Sequence, residues 1–210
     1  GLAGLEAAGL GGFAGGTVPG WRTRRYHGLL CVATTPPTGR WMLVNAVEAW
    51  VDAGRGPCAL SSHRYSPGVT HPDCEPHLVA FAPEPFPTWT FELADGLRVV
   101  HELFVPRDAA EVVLAWRIEG ARRPAKLVLR PLLGMRDVHA LRREDAALDL
   151  SSRLNGENVR WQLERGAPAV SALSSGTFHA EPTWYRSFLY EEERARGYDH
   201  VEDLASPDFF

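Results

Sequence analysis

The feature that most constrains this chain is alternation. Val112, Leu114, Trp116 and Ile118 alternate with Val113, Ala115 and Arg117. Leu97, Val99, His101 and Leu103 alternate in the same way with Arg98, Val100, Glu102 and Phe104. A period of two puts each set on one face of a strand. Segments 27–34, 41–51, 77–81, 88–93, 126–133, 147–152, 159–163 and 169–173 also suit strands. Turn residues separate them, among them Asp95-Gly96, Pro106-Arg107-Asp108, Glu119-Gly120 and Asn155-Gly156. Many short strands at regular spacing argue for a large antiparallel β-sandwich, not for βαβ units. One segment departs from this pattern. From Thr183 to Arg196 the apolar positions follow helical spacing, with Pro182 near the start and Gly197 just past the end. The chain therefore reads as mainly all-β, residues 1–210 as a single β-sandwich domain with one short C-terminal helix.

Composition narrows the function classes. A chain of 210 residues with 45% hydrophobic content can bury a core. Lys+Arg 22 against Asp+Glu 26 gives a net charge of −4, which argues against blanketing a phosphate backbone, so no nucleic-acid partner is expected. Lys126 is the only lysine. That bias fits a GC-rich genome, and arginine abundance by itself carries no argument. No stretch reaches the roughly 18 to 20 apolar residues of a membrane span, so no membrane partner is expected either. The start lacks the basic and continuous apolar regions of a signal peptide. The three cysteines, Cys31, Cys58 and Cys74, have no secreted-framework spacing, and reduced thiols in a cytoplasm are the simplest reading. The missing initiator Met and the apolar end Phe209-Phe210 suggest a domain cut from a longer protein.

Several motifs carry chemistry. Gly9-Leu10-Gly11-Gly12-Phe13-Ala14 fits a dinucleotide loop loosely, but Thr17-Val18-Pro19-Gly20 starts no helix behind it. The glycines are better read as backbone that turns sharply and lets something approach closely. Cys58, His63, His71, Cys74 and His77 are ligand types that zinc prefers, at spacings that fit no common zinc module. No metal and no cofactor are expected. Trp21-Arg22-Thr23-Arg24-Arg25-Tyr26-His27-Gly28 combines aromatic and guanidinium groups. It suits either a sugar, with rings on pyranose C–H groups and forks on hydroxyls, or a cation–π and ion-pair cluster that holds a loop to a sheet. Arg136-Asp137-Val138-His139 follows a strand and reads as the start of a loop, as a site support or a salt bridge. Trp184-Tyr185 and Glu191-Glu192-Glu193 place aromatic and acidic groups together near the end. No nucleophile motif such as G-x-S-x-G is present.

Together these stretches resemble the N-terminal domain of bacterial and archaeal glycogen debranching enzymes, the amylo-α-1,6-glucosidase family. The resemblance rests on Gly9 to Val18, on Thr23-Arg24-Arg25-Tyr26-His27-Gly28-Leu29-Leu30, and on the Pro36-Pro37-Thr38-Gly39-Arg40 hairpin. It continues through Pro85-Phe86-Pro87-Thr88-Trp89 and Arg130-Pro131-Leu132-Leu133-Gly134-Met135-Arg136-Asp137-Val138-His139. It closes on Trp184-Tyr185-Arg186-Ser187-Phe188-Leu189-Tyr190, Glu192, Arg196-Gly197 and Glu202-Asp203-Leu204. Pro19-Gly20-Trp21-Arg22 replaces a more polar turn of the family.

The resemblance implies a large β-sandwich of the supersandwich type that precedes an (α/α) barrel, which carries the glucosidase carboxylates. It implies an accessory domain, not catalytic alone, that helps bind α-glucan such as glycogen, amylopectin or maltooligosaccharides and docks on that barrel. The substrate-binding candidates are then Trp21, Arg24, Arg25, Tyr26, His27, Arg136, Asp137, His139, Trp184, Tyr185 and Glu192. Two alternatives stand beside it. One is a 4-α-glucanotransferase or glycosidase in the domain itself, with carboxylates drawn from Asp137, Glu181 and Glu192 at a defined separation. The other is a stand-alone carbohydrate-binding module with an exposed aromatic row.

Overall fold

A computed structural model of the chain describes residues 3–7, 12–35 and 38–210, with side chains from residue 12 onward. Gly9, Gly11 and the Pro36-Pro37 pair of the hairpin lie outside the described residues. In chain order the first strands are β1 (Ala3–Ala7), β2 (Phe13–Thr17), β3 (Gly28–Thr35), β4 (Gly39–Asp52), β5 (Cys58–Ala59), β6 (Arg64–Tyr65) and β7 (Val69–Thr70). Next come β8 (Leu78–Ala82), β9 (Thr88–Glu92), β10 (Arg98–Phe104), β11 (Val113–Glu119) and β12 (Lys126–Asp137). The last are β13 (Arg153–Asn155), β14 (Asn158–Trp161), β15 (Val170–Leu173), β16 (His179–Leu189) and β17 (Val201–Phe209), with helix α1 (Glu191–Ala195) between the final two.

The strands form three sheets. A ten-stranded sheet runs β1-β2-β3-β4-β12-β17-β16-β6-β7, with β5 also paired to β4. A four-stranded sheet runs β11-β10-β9-β8, and a three-stranded sheet runs β13-β14-β15. Every described pairing is antiparallel. The two smaller sheets pack on the large one. Phe91, Leu97 and Val99 of the four-stranded layer meet Ala49, Val51, Leu127 and Leu129. Val159, Trp161, Leu163 and Val170 meet Leu43, Val44, Leu133 and Ala205. The expected all-β sandwich with one short helix is what the chain forms.

The alternation in β10 orders the four-stranded sheet. Val99 and Leu103 are buried, while Arg98 and Phe104 are exposed. His101 is paired with Trp89 on one side and Trp116 on the other. Its ring stacks on both, with centroids 5.1 and 4.4 Å away. Phe81 extends the row to β8, 5.1 Å from Trp89. An aromatic ladder thus crosses the whole sheet, one ring per strand, as directly opposed side chains do.

Three expectations need correction. The segment Thr183–Leu189 is strand, not helix, and the helix is confined to Glu191–Ala195. The helical spacing of its apolar residues comes from a bulge between Tyr185 and Phe188. Ser187 adopts φ 69° there, and its N–H donates to Asp203 Oδ1 at 2.8 Å. The extra residue lets Tyr185 and Phe188, three apart, join one apolar cluster. Residues 147–152 form no strand. The side chains of Asp145 and Asp149 accept the Ala147 and Ser151 N–H groups at 2.8 and 2.9 Å, in place of a ladder. Arg136 and Asp137 do not open a loop. They end β12, paired with Met42 and Trp41.

Two predictions follow from this packing. A Cβ on Gly134 would collide with Asn45 Oδ1 and stand 3.3 Å from Asn45 Cγ. Gly134→Ala is expected to destabilise the fold by about 1–3 kcal/mol in urea unfolding, and an unchanged midpoint would remove the argument. The second concerns pH. Burial pushes the His63 pKa down to about 3, with Arg22 and His71 adding to the effect. Burial takes His101 down to about 4, against a hydrogen bond to the Ala115 carbonyl. Unfolded, both rings protonate near 6.5. Between those limits the unfolded chain binds more protons, so stability falls as pH drops from about 6.5 towards 4. Each histidine contributes a slope of up to about 1.4 kcal/mol per pH unit. His101→Phe is expected to flatten that slope in a series of unfolding curves.

Candidate functional site

The polar centre of the molecule is an ion pair between neighbouring strands. Arg136 of β12 and Glu202 of β17 have side chains only 3% and 0% exposed. Arg136 Nε donates to Glu202 Oε1, and Arg136 Nη2 donates to Oε2 at 3.0 Å. Nη1 donates to the carbonyls of Asp137 and Val138 at 3.1 and 3.2 Å. Nη2 also donates to the Arg25 carbonyl at 2.9 Å. Glu202 is equally occupied. It accepts from the Arg142 N–H at 3.0 Å, from Asn45 Nδ2 at 3.3 Å and from the Tyr190 hydroxyl. Burial works against the Arg136 charge, but Glu202 more than offsets it and the pKa rises. Burial raises the Tyr190 pKa, and the Glu202 carboxylate raises it further. Arg22 lies close by, its Nε donating to the Asn45 carbonyl and Nη1 to Gly20 O at 3.2 Å. Burial lowers its pKa to about 10, against the pull of Tyr190, Glu202 and Tyr65.

The loop 21–27 is drawn over this pair and pinned to α1. Arg25 N–H donates to Glu193 Oε1 at 3.2 Å, and its guanidinium donates to the carbonyls of His139 and Asp199 at 2.7 and 3.0 Å. Glu193 is buried. Arg24 Nε pairs with Glu192 Oε2, and Thr23 Oγ1 donates to Glu192 Oε1 at 2.7 Å. Those hydrogen bonds outweigh desolvation and lower the Glu192 pKa. His27 Nδ1 accepts the Thr23 N–H at 3.2 Å. Burial lowers the pKa of His27, with Arg22 and Arg24 adding to the effect, so the ring is neutral. Tyr26 and His139 meet at the surface, hydroxyl to Nδ1 at 3.2 Å, with rings edge-on. Asp137 Oδ1 accepts the His139 N–H at 2.8 Å.

The structure thus brings together Arg24, Arg25, Tyr26, His27, Arg136, Asp137, His139 and Glu192. Most of their donors and acceptors are already used inside the protein. Tyr26 stays exposed, and Arg24 is half-exposed. Trp21 sits beside them with Arg64 over its ring at 5.5 Å. Its Nε1 is buried without a partner.

Trp184 and Tyr185 lie elsewhere, on β16. As neighbours in a strand they face opposite ways, Trp184 against the Leu133–Ala205 cluster and Tyr185 against Leu132 and Leu204. Both line a groove of about 420 Å3 with Tyr65, Arg130, Glu181 and Arg186. Arg130 Nη2 donates to Glu181 Oε2 at 2.6 Å, while Arg130 Nη1 is buried without a protein partner. The Tyr185 hydroxyl donates to Glu48 Oε1 at 3.1 Å. Burial, then Glu48, pushes its pKa up to about 12. Sequence reasoning missed Arg130 and Tyr65 as groove residues. Only strand order places β6 beside β16 and β12 one strand away across β17, so no local signal marked them.

Asp137, Glu181 and Glu192 do not converge. Asp137 holds the 137–139 turn, Glu192 holds loop 21–27, and among the described residues Glu181 is the only carboxylate lining the groove. Among the described residues no three metal-ligating side chains gather. Cys74 Sγ instead accepts from Ser62 Oγ at 3.2 Å, and His63 packs edge-on to Phe188.

Glu202→Gln leaves Arg136 buried without its charge partner, and a loss of about 3–5 kcal/mol is expected in chemical unfolding. Combining it with Arg136→Met should cost less than the sum of the two single changes. Strict additivity would mean that the pair is not the coupling unit.

A family model described as glycogen debranching enzyme N terminal matches residues 4–210. No curated protein and no solved structure matches the chain.

Proposed function

Because the chain belongs to the glycogen debranching enzyme N-terminal domain family, we propose that it is a non-catalytic accessory domain that binds α-glucan and docks on the catalytic barrel of such an enzyme. The observation that carries this reading is the groove on β16. Tyr65 and Tyr185, on one face of the sheet, offer aromatic surface to sugar C–H groups, and the Arg130–Glu181 pair offers donors and acceptors to vicinal hydroxyls. A few placed polar groups in an aromatic cleft are what small neutral ligands need.

The non-catalytic part of the proposal rests on the carboxylates. Glycoside hydrolysis by a carboxylate pair needs two acids facing one cleft at roughly 5–10 Å. Among the described residues the groove is lined by one acid, and that one is engaged by an arginine. Docking falls to the exposed Tyr26–His139 contact and the Arg24–Glu192 pair beside it, which project from a pinned, rigid loop. The three cysteines are free thiols, in keeping with a cytoplasmic setting. Among the described residues no helix is long and apolar enough to cross a membrane.

Calorimetric titration of the 210-residue chain with maltooligosaccharides tests the reading. Binding is expected, and Tyr185→Ala should weaken it about tenfold, the equivalent of about 1.4 kcal/mol. Tyr26→Ala should leave it unchanged. A folded chain that binds no maltooligosaccharide, or a Tyr185→Ala variant that binds as well as the parent, would overturn the groove assignment.

A further inference from the structure

Glu48 of β4 is 7% exposed and is not among the residues that line the β16 groove. A buried acid is costly to take out of water and normally sits against a cation. Among the described residues Glu48 has no charged partner of that kind. In the strand register it stands directly opposite Arg130 of β12. Opposite charges so placed pair readily across two strands. Arg130 instead gives its Nη2 to Glu181 Oε2 at 2.6 Å. His63 Nε2 stands 3.7 Å from Glu48 Oε2, but burial keeps that ring neutral.

What Glu48 does hold is Tyr185. Its Oε1 accepts the Tyr185 hydroxyl at 3.1 Å, across a separation of 137 residues. Among the described residues that is the only hydrogen bond its side chain accepts. The Tyr185 ring packs with Leu132, Phe188 and Leu204, and Tyr65 lies in the same cluster. The ring is thus held along its body by apolar contact and at its tip by Glu48. Burial, then Glu48, raises the pKa of both groove tyrosines, so the Tyr185 hydroxyl stays a donor.

We propose that Glu48 is the positioning residue of the β16 groove, fixing the Tyr185 side chain in the orientation that a ligand meets without touching the ligand itself. This inference rests on the groove reading above and adds a residue from outside the groove wall. The physical reason is conformational entropy. A mobile tyrosine is immobilised when a ligand packs on it, and that loss weakens binding. A tyrosine whose hydroxyl is already tied to a buried acceptor has lost that freedom beforehand. A purely space-filling role predicts otherwise. A leucine in place of Glu48 would extend the apolar cluster of Ala46 and Leu132 and leave the Tyr185 ring where it is.

The test uses the 210-residue chain with isotope-labelled tyrosine, first without sugar and then with maltoheptaose. The Tyr185 ring signals are identified by their loss in Tyr185→Phe. NMR relaxation is expected to show an ordered Tyr185 side chain in the parent and a mobile one in Glu48→Leu. Glu48→Gln, which keeps an oxygen to accept the hydroxyl, should restore the order. In calorimetry with maltoheptaose, Glu48→Leu and Tyr185→Phe should each weaken binding about fivefold. The double variant should bind no worse than either single one, and Glu48→Gln should bind as the parent does. A Tyr185 ring equally ordered in Glu48→Leu overturns the proposal, whether or not sugar binds. Unchanged affinity in Glu48→Leu, additive losses in the double variant, or no rescue by Glu48→Gln also overturn it. If Glu48→Leu does not fold, Tyr185→Phe decides, since it keeps the ring and removes only the hydroxyl, and parental affinity then overturns the proposal. A parent that binds no maltoheptaose, with ring order that still follows the acceptor, overturns the groove reading and supports the positioning of Tyr185 by Glu48.

Discussion

Taking a carboxylate and a guanidinium out of water costs several kcal/mol per ion, and the cost is met only when every remaining donor and acceptor finds a partner. Arg136 and Glu202 satisfy that condition. Each is held in the fork geometry of a bidentate pair, and each collects further bonds from segments far away in sequence. The Arg25 carbonyl, the Val138 carbonyl, the Arg142 N–H and the Tyr190 hydroxyl all converge on these two side chains. Loop 21–27, the 137–142 turn and the approach to α1 are therefore positioned by one buried pair.

That arrangement changes how the basic and aromatic run at 21–28 is understood. Arginines that look free in a sequence are internal donors here, and Arg25 bridges the carbonyls of His139 and Asp199. What the loop leaves to a partner is narrow, chiefly Tyr26, His139 and the half-exposed Arg24. The surface we propose for sugar lies instead on β16, where a bulge at Ser187 sends Tyr185 and Phe188 to one side and keeps Trp184 on the other. The rigid network and the groove are joined through β17, which carries Glu202 and pairs with β16 and with β12.

The strands legible in the sequence were those whose pattern is local. Leu97 to Phe104 and Val112 to Ile118 alternate because one face meets a core, and the pattern needs no knowledge of the partner. The segment at 183–189 carries a helical signal because a bulge makes a strand mimic the three-residue spacing of a helix. Residues 147–152 have a strand-like pattern but form no strand, because aspartate side chains take backbone donors that a ladder would use. In the site, local runs such as Thr23 to Gly28 and Arg136 to His139 were visible as chemistry. Their shared focus on Glu202 was not, because Glu202 lies 66 residues from Arg136.

The sequence by itself determined the all-β class, most strand positions, the short helix near the end and the family to which the chain belongs. These are properties of period, turn chemistry and motif order, all read along the chain. Only the tertiary structure decided which charged groups are buried, which aromatic rings share a wall and where open space remains. Those outcomes depend on strand order. That order sets β12 beside β17, lays β2 against the opposing sheet and brings Arg130 to Tyr185, and hydrogen-bonded pairing across long separations leaves no mark in any short stretch of sequence.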